Sequence, residues 1–363
     1  MTRLYYLDAL RSFCMFFGLF VHAGTLDSGA WPSTTSFFVS EHFRMATFFV
    51  ISGFFAVMML GKRGIIGFAQ HRALSLVLPL ITALVLLNPV TNWLVYCYHT
   101  EPVGFWAFLT GDRPAPVRPI NWHLHLWFLF SLIAYMVLLP FFDPILKRLG
   151  APVRWLLKAP KDLQIGIIAV LMLSGEIASR IVYAAVFEPM VAKTPVAWLF
   201  RGTLQYMPYF LLGALTFHHR ALFEALHRIS WPTLLVGIGL TVLHRQLGLS
   251  GTLDTMVQVV AEEILTVGVL TSLFALARRL FSKASQTVSN FNDAVYSVYL
   301  FHYLAIYMLG LWVTTWPLPF VAQFALVIVL AFALTYALHR LVIRRVPLLH
   351  LLFNGKNRLA HGT

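Results

Sequence analysis

Arg11 and His22 stand eleven positions apart in LDALRSFCMFFGLFVHAG, a run that is otherwise almost wholly apolar. Ionisable side chains inside a membrane-length apolar segment cost several kcal/mol unless they are paired or hydrated, so each begins as a functional candidate. At about 100° and 1.5 Å per residue, eleven helical steps bring the second side chain to within about 20° of the first, roughly 16 Å along the axis. One stripe therefore joins them. Met15 and Gly18 lie on that stripe, which makes the surface between the two polar ends apolar and, at Gly18, recessed. It suits a slim ligand with an anionic end near Arg11 and a reactive end near His22. A guanidinium fork matches phosphate, and an imidazole with a pKa near 6.5 keeps a useful neutral fraction for acid and base work.

Other polar groups fall at corresponding depths. Glu41, His42 and Arg44 precede FFVISGFF, and His123 and His125 open NWHLHLWFL beside Trp122 and Trp127. Because the connection from His22 to Glu41 is short, the two helices are neighbours, and His22, Glu41, His42, Arg44 and His125 form a candidate acid and base cluster. The tryptophans alone say little, since interfacial Trp is ordinary anchoring. On the opposite side Arg72 follows Lys62, Arg63 and His71. These are topogenic charges, and Arg72, being closer to the membrane, is also a candidate phosphate ligand. Glu176 and Arg180 have the i, i+4 spacing and order of a helical ion pair. At least one of Glu262 and Glu263 must face the interior, with Arg180 as the expected partner. His302, among Tyr296, Tyr299 and Tyr303, is either hydrogen-bonded to a tyrosine or part of a substrate site.

The elements that position these groups are membrane helices. Of 363 residues 59% are hydrophobic and 11% charged, and a mean hydropathy of +0.76 lies outside the soluble range. The predicted fold is all-α, a polytopic bundle of about ten transmembrane helices near residues 9–26, 43–61, 74–97, 125–142, 163–187, 202–217, 231–248, 256–280, 293–315 and 318–342. Pro79 and Pro89 bend the third. Net charge is +13, but the basic residues sit in short connections, which speaks for orientation and against nucleic-acid binding. Most fall at the N-terminus, in the even-numbered connections and in the C-terminal tail, placing both termini in the cytoplasm. Asp8 and Arg11 interrupt any signal-peptide core, so the first span is expected to stay attached. Cys14 and Cys97 lie in apolar runs with no disulfide framework and no metal-ligand spacing, and no metal is expected. The connection at 98–124, with GDRPAPVRPINWH, reads as a partly ordered loop over an outer cavity. The whole chain, 1–363, reads as one membrane domain. Ten spans with buried charges also suit a transporter or flippase for an anionic sugar or lipid, although no pair of related halves is visible.

Six segments carry a resemblance: LDALR with Arg11 and His22, FRMATFFVISGFF, HLWFL, LQYMPYFLLGAL, YLFHY around His302, and the VPLLHLLFNGK tail. In this order and spacing the chain resembles the acyltransferase 3 family of ten-span membrane acyltransferases, and within it the glucans biosynthesis branch. The resemblance implies transfer of an acyl group from cytoplasmic acyl-CoA to a hydroxyl of an extracytoplasmic glycan. It makes His22 the expected catalytic histidine and Arg11 the expected cofactor-side arginine. The family's R-x-x-R motif covers Arg72 and Ser75, and Ser75 replaces the second arginine, a departure in how CoA phosphates would be held. The branch implies succinyl-CoA as donor, an osmoregulated periplasmic β-glucan as acceptor, the bacterial inner membrane as location, and glucan synthesis and export machinery as partners. An anionic acyl group needs a cation, for which Arg44 and Arg201 are the candidates. Trp127 and His302 complete the substrate candidates, Glu41 and His125 are candidates for orienting the His22 ring, and the pantetheine arm would follow Gly18.

Overall fold

The computed structural model describes residues 4–356. It is 82% helix, with no strand among the described residues. Among the described residues six helical stretches are long and apolar enough to cross a membrane: Trp31–His99, Leu124–Arg148, Lys161–Val191, Gly251–Leu280, Gln286–Val313 and Phe320–Ile343. Their outer faces suit lipid rather than water. On Trp127–Arg148, Val137 and Phe141 stand four residues apart and are 63% and 73% exposed, a stripe that would be costly in water and is expected against acyl chains. The protein is a membrane protein.

The chain divides into two compact units. The first comprises Met1–Cys14, Val39–Phe68 and Ala134–Ser289. Its closest crossing joins the helices Arg44–Arg72 and Ala197–His218. A Cβ on Gly53 would overlap the carbonyl of Phe210, and one on Gly213 would overlap the carbonyl of Val50; small residues let membrane helices touch backbone to backbone in this way. Gly175, on Lys161–Val182, accepts the ring of Pro208, whose carbons lie 2.8 Å from where a Cβ would stand. One turn on, the Ser179 hydroxyl donates to the carbonyl of Leu204 at 2.9 Å. The second expected span ends close to its predicted limit because Gly64, at φ 65° and ψ 177°, interrupts the helix just after Lys62 and Arg63. Arg180 and Glu176 form the expected pair, Nε to Oε1 at 2.7 Å. Glu263 faces inward as expected, but the hydroxyl of Tyr209 donates to it, while Glu262 accepts from Gln258.

The second unit comprises Met15–Phe38, Ala69–Ile133 and Asn290–Thr363. Leu19, Ala23, Val298, Ile306, Val327 and Ala331 are central to its core. The expected third span is here a series: a π-helical turn over Ala73–Val77, a helix Leu78–Leu86, a break at Leu87, and a helix Asn88–His99. Pro79 and Pro89 each open a helical segment, where their missing N–H is no loss. The loop that follows is tied down as well as polar. Trp93 Nε1 donates to Val103, the Tyr96 hydroxyl to Pro114 at 3.0 Å, and Asn88 to the carbonyl of Trp122 at 2.8 Å; Arg113 lies over the rings of Tyr96 and Phe108.

The tail closes this unit. Helix Pro347–Asn354 ends at Gly355, whose φ of 63° is left-handed and whose Cα has no room for a side chain beside the carbonyl of Leu74 and the Cα of Ser75. Lys356 donates to Asp293 at 2.8 Å, His339 Nε2 donates to the same carboxylate at 3.3 Å, and Ser297 bridges His339 and Asn354. Gly355→Ala is therefore expected to undock this segment, since the substituent meets both a backbone clash and an unfavourable φ. Hydrogen exchange checks it: amides of 347–356 lose at least about tenfold of their protection, a local opening, and unchanged protection would mean the glycine is not needed there.

Candidate active site

The site is built within the second unit around His22. The N-terminal helix Tyr5–Phe16 pauses at Phe17 and restarts as Gly18–Ala23, with His22 in the last turn. Thr25 Oγ1 donates to the carbonyl of His22 at 2.6 Å and pairs with the hydroxyl of Tyr307 at 2.9 Å; that hydroxyl also pairs with His99 Nε2 at 2.9 Å. Three segments far apart in sequence thus fix the turn carrying His22.

His125 and His302 stand beside it. Between His123 and His125, Leu124 adopts φ 48°, uncommon for a bulky side chain and worth about 1–2 kcal/mol of strain. It starts the short 3-10 turn Leu124–Leu126 that carries His125. His123 is buried, which pushes its pKa below the usual imidazole range, with its bond to the Leu124 carbonyl pulling the other way. The ring of His22 lies with its centroid 5.8 Å from that of His125, 5.0 Å from His302 and 4.6 Å from Tyr303. His125 and His302 are 4.9 Å apart, and Tyr303 stacks on His125 at 5.2 Å.

Main-chain carbonyls set the protons of the two outer imidazoles, that of Tyr299 facing both and that of Val298 lying 3.2 Å from His302 Nδ1 as well. His125 Nε2 lies 3.0 Å, and His302 Nδ1 2.7 Å, from the main-chain oxygen of Tyr299. A carbonyl only accepts, so both nitrogens donate: His125 is held as the Nε2–H form and His302 as the Nδ1–H form, each leaving its other nitrogen as the acceptor. The Tyr299 hydroxyl returns a bond to the carbonyl of His125 at 2.9 Å. His302 does bond to a tyrosine, but to its main chain. His125 and His302 are buried, 5% and 1% exposed, whereas His22 is only partly buried. Of the three, His22 is the one a ligand can reach. The arrangement offers a reachable base backed by two imidazoles of fixed polarity, a constellation for proton transfer to and from a reacting hydroxyl. Among the described residues no group of three or more His, Cys, Asp or Glu side chains is arranged to hold a metal ion.

The other sequence candidates are distributed between the units. In the second, Gly18 is buried at the restart of the helix, Trp127 is partly buried where Trp127–Arg148 begins, Arg72 ends a helix, and Ser75 lies in the following π-helical turn against Gly355. In the first, Arg11 is half-buried, 3.5 Å from Asp8 and 6.0 Å over the ring of Phe55. Also there, Glu41 is exposed at the end of its helix, His42 is buried, Arg44 Nε donates to Ser40 at 3.0 Å, and Arg201 is exposed and lines a polar cavity. Sequence reasoning did not join His302 to His22, nor find the Thr25, Tyr307 and His99 chain. Thr25, three residues past His22 where it can cap a carbonyl, was the one local signal.

Comparison with known proteins follows the same residues. A family model described as an acyltransferase domain matches residues 4–340. Relatives named Glucans biosynthesis protein C, from Escherichia coli O139:H28, Escherichia coli K12 and Escherichia coli O157:H7, are each 26% identical over 379 aligned residues, covering 98% of this chain and 95% of their own. No solved structure matches the chain.

Proposed function

The chain belongs to the acyltransferase 3 family, and from that premise we propose that it is a ten-span O-acyltransferase of the bacterial inner membrane, one functional domain with both termini cytoplasmic. It moves an acyl group, succinyl, from succinyl-CoA to a hydroxyl of a periplasmic β-glucan. The name of its relatives, Glucans biosynthesis protein C, supports a glucan acceptor. The observation that carries the reaction is the imidazole set, with a reachable His22 beside two histidines whose tautomers are fixed by the Tyr299 carbonyl.

His22 takes the proton of the attacking sugar hydroxyl. The sugar oxygen bonds to the thioester carbon, the carbon–sulfur bond breaks, and the proton on His22 passes to the departing thiolate. His125 and Glu41 are the candidates to orient His22, His302, Trp127 and Arg201 to hold the acceptor, and Arg44 to hold the acyl carboxylate. Arg11 and Arg72 hold CoA phosphates at the cytoplasmic mouth, with Gly18 on the pantetheine path and Ser75 in place of a second motif arginine.

The test uses purified full-length protein with succinyl-CoA labelled in the succinyl group and a β-glucan. Label bound covalently to glucan supports the reading; glucan moved into proteoliposomes without label transfer would make the protein a carrier. Arg11→Ala is expected to raise the KM for succinyl-CoA by about tenfold, the loss of one charge-assisted contact, with the KM for glucan unchanged. Equal donor KM in variant and wild type removes Arg11 from the cofactor site.

A further inference from the structure

Within the first unit, Glu176, Ser179, Arg180, Tyr183, Arg201 and Gln205 line a cavity of about 240 Å³, with Glu188 at its rim. We propose that this cavity binds an uncharged sugar unit of a glycan chain, as a subsite built from none of the imidazole residues.

Four observations support it. Each lining side chain carries a hydrogen-bonding group, and Glu176, Ser179, Arg180 and Tyr183 come from a segment, Lys161–Val191, that is otherwise apolar enough to cross a membrane; ionisable groups there mark paths for polar ligands. Glu176 is 2% exposed, and only one of its oxygens is used: Oε1 accepts from Arg180, while Oε2 is buried with no hydrogen-bond partner among the described residues. A carboxylate oxygen in that state calls for a donor, and a sugar hydroxyl is one. The two carboxylates, Glu176 and Glu188, balance the two guanidiniums, Arg180 and Arg201, so the cavity has no net charge with which to select an anion such as succinate. Its size, below the roughly 300–1,000 Å³ of pockets for drug-sized ligands, suits a single sugar ring.

Gly175 and Ser179 fasten Lys161–Val182 to Ala197–His218 through Pro208 and the Leu204 carbonyl, which sets Glu176 against the second helix. The π-helical run Tyr183–Phe187 follows at once and carries Tyr183 to the cavity; such departures from the α-helix recur at functional sites. Donors at Arg201 and Gln205 and acceptors at Glu176 then surround a ligand bearing both.

The proposal takes its glycan from the reading above, but its test is equilibrium binding and needs no acyl transfer. The full chain in detergent is titrated calorimetrically with β-linked glucose tetrasaccharides of 1,2, 1,3, 1,4 and 1,6 linkage, and with succinate. At least one tetrasaccharide is expected to bind saturably, with affinity lowered by about tenfold or more in both Glu176→Gln and Gln205→Ala. Gln205 has no ion pair to lose, so that variant reports on the cavity if Glu176→Gln proves unstable, and thermal midpoints show which variants are folded. The subsite is overturned if no tetrasaccharide binds, if folded variants bind as the wild type, or if succinate displaces the sugar. Sugar binding without succinyl transfer by the wild type sinks the transferase reading alone, and transfer with an unchanged glucan KM in the folded variants sinks the subsite alone.

Discussion

Replacing His22 with alanine is expected to lower succinyl transfer to glucan by about 10²–10⁴-fold, the usual contribution of a positioned general base, while the protein remains folded. Both halves of that expectation follow from the local geometry. The turn is held through the main-chain carbonyl of His22, which accepts from Thr25, and alanine keeps that carbonyl. The ring is only partly buried, so its loss leaves a smaller defect than a core truncation. His125 and His302 cannot stand in for it, because both are buried. Mass spectrometry of envelope glycans from a deletion strain carrying wild-type or His22→Ala protein reads the result in cells. Normal succinylation in a strain with the variant as its only copy would remove His22 from the chemistry. Incubating the wild type with succinyl-CoA alone separates two routes: a succinylated His22 peptide means a covalent intermediate, and its absence under single-turnover conditions means direct transfer.

Much of this arrangement was readable along the chain, wherever one stretch decides its own conformation. Apolar runs named most of the long helices, Pro89 marked the break that falls at Leu87, and the i, i+4 spacing of Glu176 and Arg180 gave their ion pair. Past the turn at Gly64 a second helical piece continues to Arg72, with no membrane-length apolar run to announce it. The short connection after His22 holds a helix, Trp31–Glu41, for which Pro32 at its start is the local signal. Other features depend on pairs that no local pattern announces. His302 meets His22 across 280 positions of chain, and Gly355 meets Leu74 only because the tail returns. The inward partner of Glu263 shows the same limit: charge complementarity favoured Arg180, but a buried tyrosine hydroxyl satisfies the carboxylate without a second ion. Motif recognition supplied the histidine and its expected role; the tautomers that make its neighbours useful come from main-chain carbonyls, that of Tyr299 shared by both.

Gly213→Ala is expected to destabilise the first unit by about 3 kcal/mol or more, beyond the usual cost of one added methyl in a packed core. The excess comes from what the methyl meets. In most cores a new methyl displaces a side chain that can change rotamer. At Gly213 it would overlap the carbonyl, carbonyl carbon and Cα of Val50, and the facing Gly53 is closed in the same way by the carbonyl of Phe210. Neither main chain can yield without separating Arg44–Arg72 from Ala197–His218, and separation forfeits the dispersion contacts along the whole crossing. The same substitution at Gly166 or Gly239 meets nothing within 4 Å, and there alanine is expected to stabilise by roughly 0.5–1 kcal/mol through helix propensity. Thermal midpoints of the three variants in one detergent, read by the loss of the monodisperse peak, therefore move in opposite directions. If Gly213→Ala melts with the other two, the backbone contact at this crossing is absent, and with it the close approach that carries LQYMPYFLLGAL against FRMATFFVISGFF.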